Sequence, residues 1–258
     1  ETAKTNIETQ EIADGDEIWE ELSKWIDSTP HSFIDIFSVP MGWNSPLFQR
    51  FQHISLQAGN AGGISIYGAH PSIDQDVRIY KLVSPTLCIV NLDDYMIKQK
   101  LFQLLDTKKG LKYIRIQSID LATTMDEICN YMERGYEIVY EYIDELTPQI
   151  TGNIPEFVFK MHEAILKNEN ITAIATSDKL FRQMQEYRSK NMAMIKNGVD
   201  YEHWHIKKDM NNVPDDLKEI VNQGKIIVGY HGALAKWVDY DLLREIALDG
   251  RFLLLLIG

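Results

Sequence analysis

What most constrains this chain is an alternation. Seven short apolar runs, at 33–39, 63–67, 86–91, 113–117, 138–142, 171–175 and 192–195, are separated for the most part by longer stretches with helical periodicity. The clearest of those stretches are 95–105, 125–134, 155–166 and 179–187. A short apolar run between turn formers reads as a buried strand, whereas apolar residues recurring at three- and four-residue spacing read as an amphipathic helix. Strands that alternate with helices predict an α/β domain on a mostly parallel sheet, covered on both faces and joined by right-handed crossovers. Local signals agree: Pro155 suits a first helical turn, Ser177 an N-cap, and Gly135 a C-terminal cap before the next strand.

Two regions break the pattern. Residues 1–30 are acidic and polar until Ile18, Trp19, Leu22 and Trp25 recur at helical spacing, which predicts an N-terminal extension ending in one amphipathic helix. After Asn197-Gly198-Val199-Asp200 the composition turns polar and rich in His and Lys, so residues 201–224 read as a linker with a short helix over 214–222. The domain between these regions spans 31–200. At 225–258 the alternation restarts as a single strand-helix-strand unit around the turn Tyr230-His231-Gly232-Ala233. One helix cannot cover both faces of a parallel pair, so this second lobe is expected to be incomplete.

Composition narrows the function. A formal net charge of -12 repels phosphate backbones and argues against a general nucleic-acid binder. No apolar run approaches the roughly 18 residues that a membrane span needs. Cys88 and Cys129 lack the spacing of a metal knuckle and read as reduced core residues of a cytoplasmic protein. His203 and His205 flank Trp204 without a convincing third ligand, and no metal site is expected.

In an open parallel sheet the ligand crevice lies beyond the carboxyl ends of the strands. The residues expected there are Gly42, Trp43, Asn44 and Ser45, then Gly68 and His70, Ser118 and Asp120, Asp144 and Glu145, Thr176 and Ser177, and Asn197; in the second lobe they are His231 and Gly232. Carboxylates and amides pair with sugar hydroxyls, and an indole packs on a pyranose face. Turn and cap chemistry accounts for each of these residues singly.

Several stretches together carry a resemblance. Ile36 to Pro40 with Gly42-Trp43, then Arg50-Phe51-Gln52-His53-Ile54, resembles the opening of bacterial GT-B glycosyltransferases of the group 1 or family 4 type. Their acidic strand end is similar to Tyr140-Glu141-Tyr142-Ile143-Asp144-Glu145, and their alanine-threonine-serine turn to Ala175-Thr176-Ser177. Most specific is Asn197-Gly198-Val199-Asp200, which resembles their P-N-G-V-D hinge with Lys196 at the proline's place, followed by Gly229-Tyr230-His231-Gly232-Ala233-Leu234. Trp237 with Asp239-Tyr240-Asp241-Leu242-Leu243 looks like a subset acting in cell-surface polysaccharide assembly.

The resemblance implies a Rossmann-like acceptor-side domain and the beginning of a nucleotide-sugar donor domain. It implies metal-independent transfer of a sugar from a nucleotide diphosphate sugar to a glycan or lipid-linked acceptor in the cytoplasm, with room for contact at the inner face of the cell membrane. No cofactor besides the donor is implied. The corresponding residues are Asp144 and Glu145 for catalysis, Gly42, Trp43, Asn44, Arg50 and His70 for the acceptor, and Asn197, His231, Gly232 and Lys236 for the donor. Two departures weaken the donor side: Ala233 and Val238 stand where many relatives carry Arg and Lys, and the acidic donor motif is expected beyond Gly258. Little turnover is therefore expected of this chain alone. A sugar-nucleotide epimerase of the same fold and a non-catalytic module of a polysaccharide assembly system are the alternatives.

Overall fold

A computed structural model describes residues 17–38, 41–120, 122–205 and 214–258. In chain order the first elements are α1 (Glu17–Ser28), β1 (Phe33–Phe37), α2 (Arg50–Gln57), β2 (Gly63–Gly68), β3 (Tyr80–Ser84), β4 (Leu87–Val90), α3 (Tyr95–Asp106) and β5 (Leu111–Gln117). Then come α4 (Met125–Glu133), β6 (Glu137–Tyr142), α5 (Pro148–Thr151), α6 (Glu156–Lys167), β7 (Thr172–Ala175), α7 (Asp178–Gln185) and β8 (Met192–Met194). The last are α8 (Tyr201–Trp204), α9 (Asp215–Val221), β9 (Ile226–His231), α10 (Tyr240–Leu248) and β10 (Phe252–Ile257). Two compact units result. The larger runs to Leu146 and resumes over Asn153–Asn197; the smaller comprises Thr147–Gly152 and Gly198–Gly258.

The larger unit is a Rossmann-like α/β domain on an eight-stranded sheet, ordered β3-β4-β2-β1-β5-β6-β7-β8. All pairings are parallel except β3 with β4. The order grows outward from β1 in both directions, so the switch point where a crevice opens lies between β1 and β5. β3 was not expected from the sequence. Every one of its residues is half-buried, its pairing carries a register irregularity between Leu82 and Ser84, and Lys81 interrupts its apolar character. An edge strand needs no continuous apolar run, so periodicity does not reveal it.

Alternate residues of each strand face opposite ways. Ile34 and Ile36, Ile64 and Ile66, Cys88 and Val90, Ile114 and Ile116, Ile138 and Tyr140, and Ala173 and Ala175 join one large core with the buried stripes of α1, α3, α4, α6 and α7. α1 is part of this core: Leu22 and Ile26 are fully buried, and the Trp25 indole donates to the Pro85 carbonyl at 3.0 Å. Caps set the helix starts, with Asp94 accepting from Met96 and Ile97, Thr124 forming a capping box with Glu127, and Ser177 accepting from Leu180. The other face holds a smaller cluster of Phe37, Tyr67 and Leu87 against Phe51 of α2. Beside it lie the buried polar side chains Asp35, Ser65 and Glu141.

In the smaller unit β9 and β10 pair in parallel, Ile226 opposite Phe252 through His231 opposite Ile257, and α10 links them. No residue of α10 is buried, and Leu248, Ile226 and Trp237 are exposed. Among the described residues no helix is long and apolar enough to cross a membrane.

Candidate functional site

The loop after β1 is held from beneath. Asp74 is buried and its carboxylate accepts from three backbone amides, those of Trp43 (2.8 Å), Asn44 (2.8 Å) and His70 (2.9 Å). Gln52, on the first turn of α2 and fully buried, donates to the carbonyls of Gly42 (3.1 Å) and Trp43 (2.9 Å) and accepts from Gln49 N–H at 2.6 Å. The Tyr67 hydroxyl donates to Met41 O at 3.0 Å, and burial, aided by the charge of Asp74, raises its pKa. Gly42 is needed for close approach, because a Cβ there would fall 2.7 Å from Ile73 Cβ. This clamp joins Gly42, Trp43, Asn44 and His70 into one rim. The Trp43 ring lies edge-on to Tyr67 and Phe48, half-buried, while the Asn44 side chain is exposed. His70 Nδ1 meets Ser72 Oγ at 2.8 Å.

Behind the rim, on the face that α2 covers, runs a chain of charged groups. The Arg115 Nε donates to both oxygens of Asp35 at 2.9 and 2.8 Å, and its Nη1 donates to Glu141 at 2.7 Å. Glu141 also accepts from Arg50 Nε at 2.9 Å. Arg50 Nη1 reaches on to Lys196 O (3.3 Å) and Asn197 Oδ1 (3.2 Å). Burial pushes the Asp35 carboxyl up, with Arg115 opposing it. Burial also works against the Arg115 charge, but Asp35 and Glu141 together hold it above its ordinary value. Arg50 and Asn197, which the resemblance assigns to different substrates, are thus bonded to one another.

Asp144 and Glu145 follow β6 and differ in environment. Glu145 accepts from Lys179 at 2.6 Å and from Gln183 at 2.8 Å, and these bonds lower its pKa. Asp144 is exposed, makes no hydrogen bond among the described residues, and is raised above the ordinary carboxyl value by partial desolvation. A carboxylate with free lone pairs and raised basicity can accept a hydrogen bond from a hydroxyl and take its proton.

Below Glu145 a polar chain enters the core. Gln183 accepts from the Tyr142 hydroxyl at 2.8 Å, the Tyr142 ring lies 4.6 Å from that of His162, and His162 Nδ1 meets the Tyr140 hydroxyl at 2.5 Å. Burial lowers the His162 pKa to about 4, so the imidazole is neutral at pH 7.

In the smaller unit, His231 ends β9 with its side chain exposed. Gly232 follows at φ +149°, where a side chain is strained, and donates to Ile257 O at 2.9 Å. Lys236 is exposed. Asp35, Arg115, Glu141, Gln52 and Asp74 were not anticipated as part of this region. The available signal for the first three was an ionisable residue inside an apolar strand run, as in Phe33-Ile34-Asp35-Ile36-Phe37. No family model matches the chain, and no curated protein is significantly similar to it in sequence.

Proposed function

We propose that the protein is a glycosyltransferase, moving a sugar from a nucleotide diphosphate sugar to a hydroxyl of a glycan or lipid-linked acceptor. The observation that carries this reading is Asp144, a carboxylate beyond the carboxyl end of β6 with free lone pairs and a raised pKa, on the same edge of the sheet as a rim fixed by Asp74 and Gln52. In this reading the acceptor hydroxyl bonds to Asp144, which takes its proton as the new O–C1 bond forms. The C1–O bond to the diphosphate breaks, and the nucleoside diphosphate leaves with that electron pair. Asn197-Gly198-Val199-Asp200 supports the same reading through its resemblance to the GT-B hinge.

The test is titration of UDP-, GDP- and dTDP-sugars against the full-length protein, with release of nucleoside diphosphate as the readout. One donor class is expected to bind and to be turned over. Asp144→Asn is expected to cut kcat by about 100-fold or more while leaving donor binding intact, the usual scale for loss of a general base. Failure of all three donors to bind, or full activity in the Asn variant, would overturn the assignment.

A further inference from the structure

The point where the chain leaves the larger unit is tied to the centre of its sheet by charge. β8 is the edge strand, and after it Ile195 N–H still donates to Ala175 O. Lys196 Nζ reaches Asp178 at 3.0 Å, and the Lys196 carbonyl and Asn197 Oδ1 both accept from Arg50 Nη1. Asn197 is the last residue of this unit, and from Gly198 onward the chain belongs to the other. A Cβ at Gly198 would meet nothing within 4 Å, so packing does not demand a glycine there. What glycine supplies at that position is backbone freedom just beyond the last anchored residue.

Arg50 is held by more than the hinge. Its Nε is bonded to Glu141, and because a guanidinium is planar, that bond fixes the plane in which Nη1 can reach Asn197. Glu141 is oriented by Arg115, and Arg115 by Asp35. The relay therefore runs from β1 through β5 and β6 to the residue that follows β8, four strand spacings or roughly 19 Å across the sheet. Arg50 is also the first residue of α2, whose Gln52 holds the Gly42 and Trp43 carbonyls. The same helical turn thus grips the crevice rim and the hinge.

We propose that Arg50 is a latch through which the buried Asp35–Arg115–Glu141 relay and the crevice rim set the order of the hinge at 195–200. The role is a positioning one and does not depend on the glycosyltransferase reading, since its test contains no sugar or nucleotide. Hydrogen exchange is followed on the full chain in peptides covering 192–205, with peptides covering β2 as the internal control. Asn197→Ala removes one acceptor of Arg50. Glu141→Gln keeps the shape of the relay but removes the charge, and it does not itself contact residues 195–200. Both are expected to accelerate exchange at 195–200 by about 10-fold, the scale of losing one charge-assisted hydrogen bond, with β2 unchanged.

Arg50→Lys keeps the charge but cannot hold Glu141 and Asn197 together, so it is expected to behave like Asn197→Ala. Acceleration in Asn197→Ala alone would show a local bond without a relay and overturn the proposal. No acceleration in any variant would overturn it too, as would an equal rise in the β2 peptides, which marks general loosening. If Glu141→Gln does not fold, Arg50→Lys, which keeps a cation beside Glu141, is the deciding variant, read in the same way.

Discussion

The two faces of the large sheet are built from the same strands and solve burial in opposite ways. On one face, isoleucines of β1, β2 and β5 meet five helices in a continuous apolar core. On the other, the residues between those isoleucines include Asp35, Ser65 and Arg115, joined by Glu141 of β6, and the apolar cluster there is small and centred on Phe51 of α2. The apolar face draws its stability from area removed from water. The ionic face returns little net stability, because desolvating four charges offsets most of their attraction. What it gains is geometry: each guanidinium admits few partners at few angles, so it fixes where α2 and the end of β8 lie.

The comparison breaks most visibly at Arg115. Arg115→Met strands Asp35 and Glu141 without their shared partner and is expected to cost about 4 kcal/mol in urea unfolding, the usual cost of halving a buried ion pair. Adding Asp35→Leu and Glu141→Leu is expected to restore most of that loss. A triple variant less stable than the single would mean that the ionic face is a true source of stability. On the opposite face Ile114→Ala is expected to cost about 3 kcal/mol with an unchanged denaturant slope.

Acid separates the faces by sign. The folded His162 titrates at about 4, below the ordinary value near 6.5, so as pH falls through that interval the unfolded chain takes up the proton first. Stability present above pH ~6.5 is therefore lost towards pH 4, by roughly 2–3 kcal/mol, and His162→Gln should flatten the curve. Asp35 works the other way. Its folded pKa is raised, so the folded state takes the proton before the unfolded one and acid relieves its cost. Asp35→Asn should make the acid loss steeper, read from unfolding midpoints between pH 7 and pH 4. The smallest effect is expected at the crevice rim, where Asp74→Asn weakens one of three amide bonds and costs about 1 kcal/mol by thermal unfolding.

The apolar face was legible in the sequence and the ionic face was not. Runs such as Ile138 to Tyr142 announce strands because burial of alternate apolar residues leaves a periodic trace. Pairings such as Asp35 with Arg115 leave none, since the partners lie far apart in sequence and meet only through strand order. The rim residues Gly42, Trp43, Asn44 and His70 were legible from their position just past the carboxyl ends of β1 and β2. Asp74, which binds them together, sits in a loop where aspartate is common and so carries no distinguishing signal. β3 escaped for a related reason: a half-buried edge strand has no pattern to read.

Strand order also sets a timetable. β1 lies at the centre of the sheet, yet the Arg115 that neutralises Asp35 is synthesised 80 residues later. At a ribosomal pace of about 5–20 residues per second, Asp35 waits roughly 4–16 s for it, and the β1-β2-β4 half-sheet, complete only at Val90, waits roughly 1–5 s. Throughout that wait its growing edge is β1, and a hydrated carboxylate at its midpoint discourages other chains from pairing there. The group that becomes the innermost member of the ionic relay thus begins as a guard on an unfinished edge.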